Sequence, residues 1–329
     1  MNRALLIGAL AALTLALMLL SLLTGPAHMG PADSIRALIA GGDEAAVLIM
    51  REIRLPRALL AALVGFSLGV SGAALQGFLR NPLAEPGIIG VSASAALGAV
   101  LMFYTGVAGA SLLALPAGAL AGAAVCVFAL IAIASARAST ITLILAGVAL
   151  SSLAAALTSL VLNLSPNPFA AYEIIFWLLG SLKDRTMDHV WLALPLMALG
   201  WVGLWASART LDALSLGEEG AVGLGVNLAR ARLLIIGGVA LSVGAATAVT
   251  GAIGFIGLIV PHLIRPLTDR LPGNLLLPSG LGGAALLIAA DIVARSAIVE
   301  RELNVGVVTA LIGAPFFLWL VLRARREVF

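Results

Sequence analysis

Ten apolar segments, each near the length of a membrane crossing, run through this chain: 4–24, 56–79, 88–106, 109–134, 140–163, 190–207, 231–250, 252–266, 276–297 and 305–322. A helix rises about 1.5 Å per residue and the hydrocarbon core of a bilayer is about 30 Å thick, so about 20 apolar residues make one crossing. Segment 252–266 is the shortest fit. Hydrophobic residues make up 61% of the chain and charged residues 11%, against about 25% in a soluble domain. With a mean hydropathy of +1.13, a soluble fold has nowhere to hide so much apolar surface. The expected architecture is all-α and polytopic, with ten transmembrane helices in one domain over residues 1–329. Asn2-Arg3 before the first apolar run resembles a signal peptide. The run is longer than a signal core and Gly25-Pro26-Ala27-His28 is a poor cleavage site, so it is read as an uncleaved first span.

Orientation follows from the arginines. With the N-terminus in the cytoplasm, eleven of the 19 basic residues face inward with six of the 16 acidic residues, leaving eight basic and nine acidic residues outside and Asp291 near a span end. That bias obeys the positive-inside rule and puts both termini in the cytoplasm. Arg51, Arg54 and Arg57 are its exceptions. A pI of 9.7 does not indicate nucleic acid, because the basic residues form no stripe interleaved with aromatics.

Several chemistries are excluded or disfavoured. Lys183 is the only lysine and sits in Ser181-Leu182-Lys183-Asp184. No Walker A motif is present, since its lysine must follow glycine and reach the β- and γ-phosphates. His28, His189 and His262 are far apart in sequence and make an improbable metal set. Cys126, the single cysteine, lies in an apolar run and forms no internal disulfide. No catalytic residue, cofactor site or metal site is expected on this chain.

Small and polar residues inside the spans carry the remaining signals. Gly65 with Gly69, and Gly118 with Gly122, are GxxxG pairs suited to close helix packing. Segments 63–77 and 237–251 share a faint likeness and run in opposite directions, as inverted repeats do. Asp291 and Arg295 share a helix face and can pair; Arg295 is alternatively offered to an outer partner. Segment five carries Ser151, Ser152, Thr158, Ser159 and Asn163. The spacing of seven puts 151 with 158 and 152 with 159, either along a translocation path or bonded to backbone carbonyls of the same helix. Connection 208–230 contains Leu214-Ser215-Leu216-Gly217-Glu218-Glu219-Gly220-Ala221 and Leu224-Gly225. It reads as short glycine-joined helices with two exposed carboxylates, lying on the membrane or docking a soluble partner.

Three stretches resemble one known family. They are Arg54-Leu55-Pro56-Arg57 through Gly72 and Gln76 to Asn81-Pro82-Leu83-Ala84-Glu85-Pro86-Gly87 and Gly90; Gly254-Phe255-Ile256-Gly257-Leu258-Ile259-Val260-Pro261-His262-Leu263-Ile264-Arg265; and Ala290-Asp291-Ile292-Val293-Ala294-Arg295 with Gly306 to Phe317. The chain resembles, over nearly its whole length, the FecCD-type permeases of ABC importers, which take up ferric siderophores, haem and vitamin B12. The resemblance implies the type II importer permease fold: two permease subunits (a homodimer is the expectation), two cytoplasmic ATPase subunits that use ATP and magnesium, and a periplasmic binding protein, all at the bacterial inner membrane. It implies that Arg54, Arg57 and Arg295 meet glutamates of the binding protein, the alternative being arginines snorkelling to headgroups. It implies cytoplasmic gates at Asn81 and Leu83 and at Ser139 and Thr140, and coupling to the ATPase through Leu214, Ser215, Gly217, Glu218, Glu219 and Gly225. Family members commonly carry Leu-Pro where this chain has Leu303-Asn304, so a less rigid outer turn is expected there. The cargo implied first is an iron complex, with vitamin B12 or haem as alternatives. Scarcity of membrane acids argues against an ion-coupled transporter working alone, and one polar stripe is too little for a passive channel.

Overall fold

The computed structural model describes residues 2–25, 27, 29–109, 111, 113–133, 140–165, 168–296 and 302–326, and no strand occurs among them. The helices are α1 (Arg3–Leu23), α2 (Pro31–Ile39), α3 (Glu44–Leu48), α4 (Leu55–Phe78), α5 (Val91–Tyr104), α6 (Ala114–Ile133), α7 (Thr140–Leu164) and α8 (Pro168–Leu178), followed by α9 (Met187–Ala206), α10 (Ala208–Leu214), α11 (Glu218–Gly223), α12 (Leu228–Thr250), α13 (Ile256–Ile264), α14 (Pro272–Ser296) and α15 (Val305–Arg326). Among the described residues, the ten apolar segments resolve into eight helices long and apolar enough to cross a membrane and two shorter ones, α5 and α13 with its continuation to Leu267.

The shortening has local causes. Pro86–Ile89 form a tight 3-10 turn, and Gly90 at φ 85° starts α5 only at Val91. α12 stops at Thr250 because Gly251 takes φ 73°, and non-glycine Phe255 at φ 69° delays α13 to Ile256. The polar connections are more helical than their composition suggested. α2 opens on Pro31 and α8 on Pro168, each a residue preset for a first helical turn. α3 runs through a π-helical turn, Ile49–Arg54, into α4 as one 35-residue stretch.

α4, α12 and α14 are the inner helices, with 78%, 78% and 67% of their most apolar windows buried, against 17% for α1 and for α7. Lipid gives apolar faces no drive to associate, so small residues at the contacts decide the packing. A Cβ on Gly65 would overlap the Gly283 carbonyl, and one on Gly69 the Ser279 carbonyl, so the α4 and α14 backbones touch. Gly118 and Gly122 set α6 against Gly98 and the Ser94 carbonyl of α5 in the same way. Both GxxxG pairs are therefore packing devices. Segments 63–77 and 237–251 meet through a Ser71–Ser242 hydroxyl pair at 2.9 Å. Cys126 is buried, its thiol directed at the Ile89 carbonyl at 3.6 Å.

Candidate functional site

At the end of α14 remote from its Pro272 start, four charged groups form one closed cluster. Asp291, fully buried, accepts from Arg57 Nε at 3.0 and 3.2 Å and pairs with Arg57 Nη2 at 2.9 Å. Arg295 Nε pairs with the same carboxylate at 3.2 Å, and Arg57 Nη1 reaches Glu302 at 3.1 Å. The expected Asp291–Arg295 pair is present. Its second arginine, 234 positions away in sequence, was not anticipated. One carboxylate between two guanidiniums, with Glu302 on the rim, leaves the group near neutral, the condition for holding charge at membrane depth.

The remaining donors of these arginines meet the end of α1. Arg54 donates to the Leu22 carbonyl at 2.9 Å and the Ala27 carbonyl at 2.6 Å. Arg295 donates to the Ser21 and Thr24 carbonyls at 3.3 and 3.1 Å, and to Ser21 Oγ at 2.7 Å. The last carbonyls of a helix lack intrahelical partners and form its negative pole, so guanidiniums are suited to them. The three arginines expected to meet a binding protein thus already hold acceptors within the chain. Arg54 and Arg57 are only 4% and 7% exposed.

At the opposite end, Arg80 at φ 49° ends α4 and turns the chain into Asn81. Asn81 Oδ1 accepts the Leu83 N–H at 2.9 Å, so this gate candidate is an exposed side-chain-braced turn. Of the other gate candidate, Ser139 lies outside the described residues and Thr140 opens α7.

The 208–230 connection is a hairpin of two short helices. Leu214 is buried, while Leu216, Val222 and Leu224 are exposed, giving an apolar outward surface. Gly217 at φ 96° and Gly225 at φ 83° bracket α11, and Ser215 Oγ closes the end of α10 onto the Asp212 carbonyl at 2.6 Å. Glu219 is exposed as expected. Glu218 is a correction: its carboxylate pairs at 3.5 Å with Arg232 of α12, whose guanidinium is buried.

The polar residues of α7 split between two faces. Ser151 and Thr158 turn inward, Ser151 Oγ lying 3.5 Å from the Gly87 carbonyl. Ser152, Ser159 and Asn163 are exposed, and the two serines donate to Val148 and Ala155 within their own helix at 2.9 and 3.0 Å. His189 caps α9 with Thr186, and His262 packs edge-on against Phe316. Among the described residues no three His, Cys, Asp or Glu side chains converge as metal ligands. The loop at Leu303-Asn304 is tied by Leu303 N–H to the Ala294 carbonyl at 3.0 Å and Asn304 Nδ2 to the Phe176 carbonyl at 3.2 Å.

One residue escaped sequence reasoning as a site. Glu85 lines a cavity of about 190 Å³ with Leu68, Ser92, Ile253, Phe255 and Gly257, beside the break between α12 and α13. Its Oε2 is sealed from solvent and has no partner. Burial pushes this carboxyl above its ordinary range, while the Phe255 backbone N–H pulls the other way. A lone acid between two prolines, within the Asn81–Gly90 connection of an apolar chain, was the available signal.

With this geometry in hand, comparison with known proteins is direct. The FecCD transport family matches residues 13–323. A cobalamin import system permease, BtuC of Halobacterium salinarum, is 43% identical over 284 residues, 85% of this chain and 75% of its own. The vitamin B12 import system permease BtuC of Escherichia coli is 39% identical over 322 residues, 96% of this chain and 94% of its own. A solved structure described as a metal-chelate type ABC transporter in an inward-facing conformation superposes with a TM-score of 0.85 at 33% identity, covering 96% of this chain and 98% of that one.

Proposed function

The chain belongs to the FecCD transport family, and from that premise we propose that it conducts a metal-bearing chelate inward as the membrane subunit of a binding-protein-dependent importer. It is a multi-pass permease of the ABC importer type. Cobalamin is the first reading of the cargo, because the two permeases 43% and 39% identical carry that cargo in their names. A ferric siderophore is the second, on the likeness to a metal-chelate transporter. The observation that carries the reading is the match over residues 13–323 together with a fold shared across 96% of the chain.

The working parts are assigned as follows. Two copies enclose the path, to which the exposed face of α7 contributes Ser152, Ser159 and Asn163, while Ser151 and Thr158, also expected there, face the chain's own interior. An ATPase pair holding ATP and magnesium seats on the hairpin, against Leu216, Val222, Leu224 and Glu219, with Leu214, Ser215, Gly217, Glu218 and Gly225 shaping it. Nucleotide binding draws the ATPase subunits together and tilts the hairpins, and access alternates between a gate at Asn81, Leu83, Ser139 and Thr140 and the outer mouth. The binding protein docks over Arg54, Arg57 and Arg295, and its carboxylates displace Glu302 from Arg57, the least buried bond of the cluster. Such pairs set orientation more than raw affinity. Both termini lie in the cytoplasm of a bacterial inner membrane.

Reconstitution tests this. The permease is assembled with its ATPase in liposomes, and its binding protein is offered cobalamin, haem and ferric siderophores. One loaded form is expected to stimulate ATP hydrolysis several-fold and drive uptake. Uptake by the permease alone, driven by an ion gradient, would overturn the importer reading.

A further inference from the structure

One helix pair, α4 with α14, meets the hairpin at one end and the outer charge cluster at the other. α14 starts at Pro272, which has no N–H, so its first donor is Gly273. That N–H donates to Asp212 Oδ1 of α10 at 2.7 Å. A carboxylate there meets the positive pole of α14 and caps it from another element. The approach is close: a Cβ on Gly273 would meet the Ala208 carbonyl at 2.8 Å and the Asp212 carboxylate at 2.8 Å. Leu211, fully buried, and Pro272 both lie against Gly77 in the same joint, so α4 ends there too.

At the other end the same two helices are bonded by Arg57 of α4 and Asp291 of α14. Between the ends their backbones touch at Gly65–Gly283 and Gly69–Ser279, with no layer of side chains to yield. Pro278 interrupts the internal bonding of α14 at this level, and the Gly69 contact with Ser279 backs it. The 18 helical steps from Gly273 to Asp291 span about 27 Å, close to the thickness of the hydrocarbon core.

We propose that the α4–α14 pair is a rigid strut that carries displacement of the hairpin to the outer charge cluster, with Asp212 as the positioning residue at its cytoplasmic end. The inference rests on the importer reading above. A hairpin tilted by the ATPase pulls the start of α14 through Asp212. α4 follows because its backbone cannot separate from α14, and the shift arrives at Asp291, Arg57 and Arg295. Coupling between two binding sites is reciprocal, so nucleotide on the ATPase and binding protein at the outer face report on each other through this pair.

The test uses the assembled permease–ATPase complex in lipid nanodiscs. It measures the ratio of binding-protein dissociation constants with and without a non-hydrolysable nucleotide. Asp212→Ala is expected to shrink that ratio about fivefold, the equivalent of one lost helix cap. Asp212→Asn, which still accepts the Gly273 N–H, is expected to keep it. A full ratio in Asp212→Ala overturns the strut. So does an equal loss in Asp212→Asn, which would place the carboxylate charge against the ATPase instead. Should Asp212→Ala not assemble, Asp212→Asn decides alone: retention supports the cap and loss overturns it. A wild-type complex with no nucleotide-dependent ratio removes the importer reading itself, a result separate from any variant's.

Discussion

Arg54 and Arg295 show how a charge becomes tolerable in an apolar chain. Their donors end on carbonyls at the close of α1, where a helix leaves acceptors unfilled. The sequence showed that Arg54 breaks the positive-inside pattern and that Asp291 and Arg295 share a face. It did not show Arg57 meeting Asp291, because a contact across 234 positions leaves no local trace. Glu85 was equally mute, standing inside a quoted motif with no partner to suggest a role. Its consequence is testable. A carboxyl raised by burial keeps its proton to higher pH in the folded state than in the unfolded chain. The ionisation penalty is absent below the unfolded pKa and complete above the folded one, so stability falls as pH rises between them. Glu85→Gln removes that slope. The melting temperature of the variant relative to wild type is expected to climb from pH 4.5 to pH 7.5, followed by size-exclusion after heating; a constant difference would contradict it.

At the scale of elements, glycine spacing identified contact faces but not their partners. Gly65 and Gly69 announced a close approach, and α14 answers it with Gly283 and Ser279. Hydropathy located α4, α12 and α14 without indicating that they are the inner three, since lipid-facing and buried helices are equally apolar. α2 and α8 were hidden in connections judged by polarity alone. Their proline starts were visible, but helices of 9 and 11 residues need tertiary packing to hold. The α4–α14 contact yields a paired prediction. Gly69→Val should cost about 3 kcal/mol or more, the upper end of overpacking penalties. Gly8→Val, on the exposed face of α1 with nothing within 4 Å, should change little. Thermal unfolding in detergent compares the two, and equal stabilities would deny the backbone contact.

For the whole molecule, the all-α polytopic class was legible because apolar run length is read almost without context. The short α13 was anticipated only as the least certain span, since its start depends on the left-handed backbone at Phe255. Membrane orientation is open to a labelling experiment with low background, because Cys126, the native cysteine, is 1% exposed. Arg36→Cys on α2 is expected to react with an impermeant maleimide added outside intact cells. Arg230→Cys at the start of α12 should react only after permeabilisation. The reverse pattern would invert the proposed topology.

The cluster of Arg57, Arg295, Asp291 and Glu302 holds two positive and two negative charges within one set of contacts. Seen from several Debye lengths away, such a group is electrically silent. Arg54, bonded only to carbonyls, leaves a single positive charge beside it, so a protein approaching this mouth meets little long-range field and must find its place mainly by diffusion and shape before any arginine changes hands. Ionic strength would then alter how long the visitor stays more than how often it arrives.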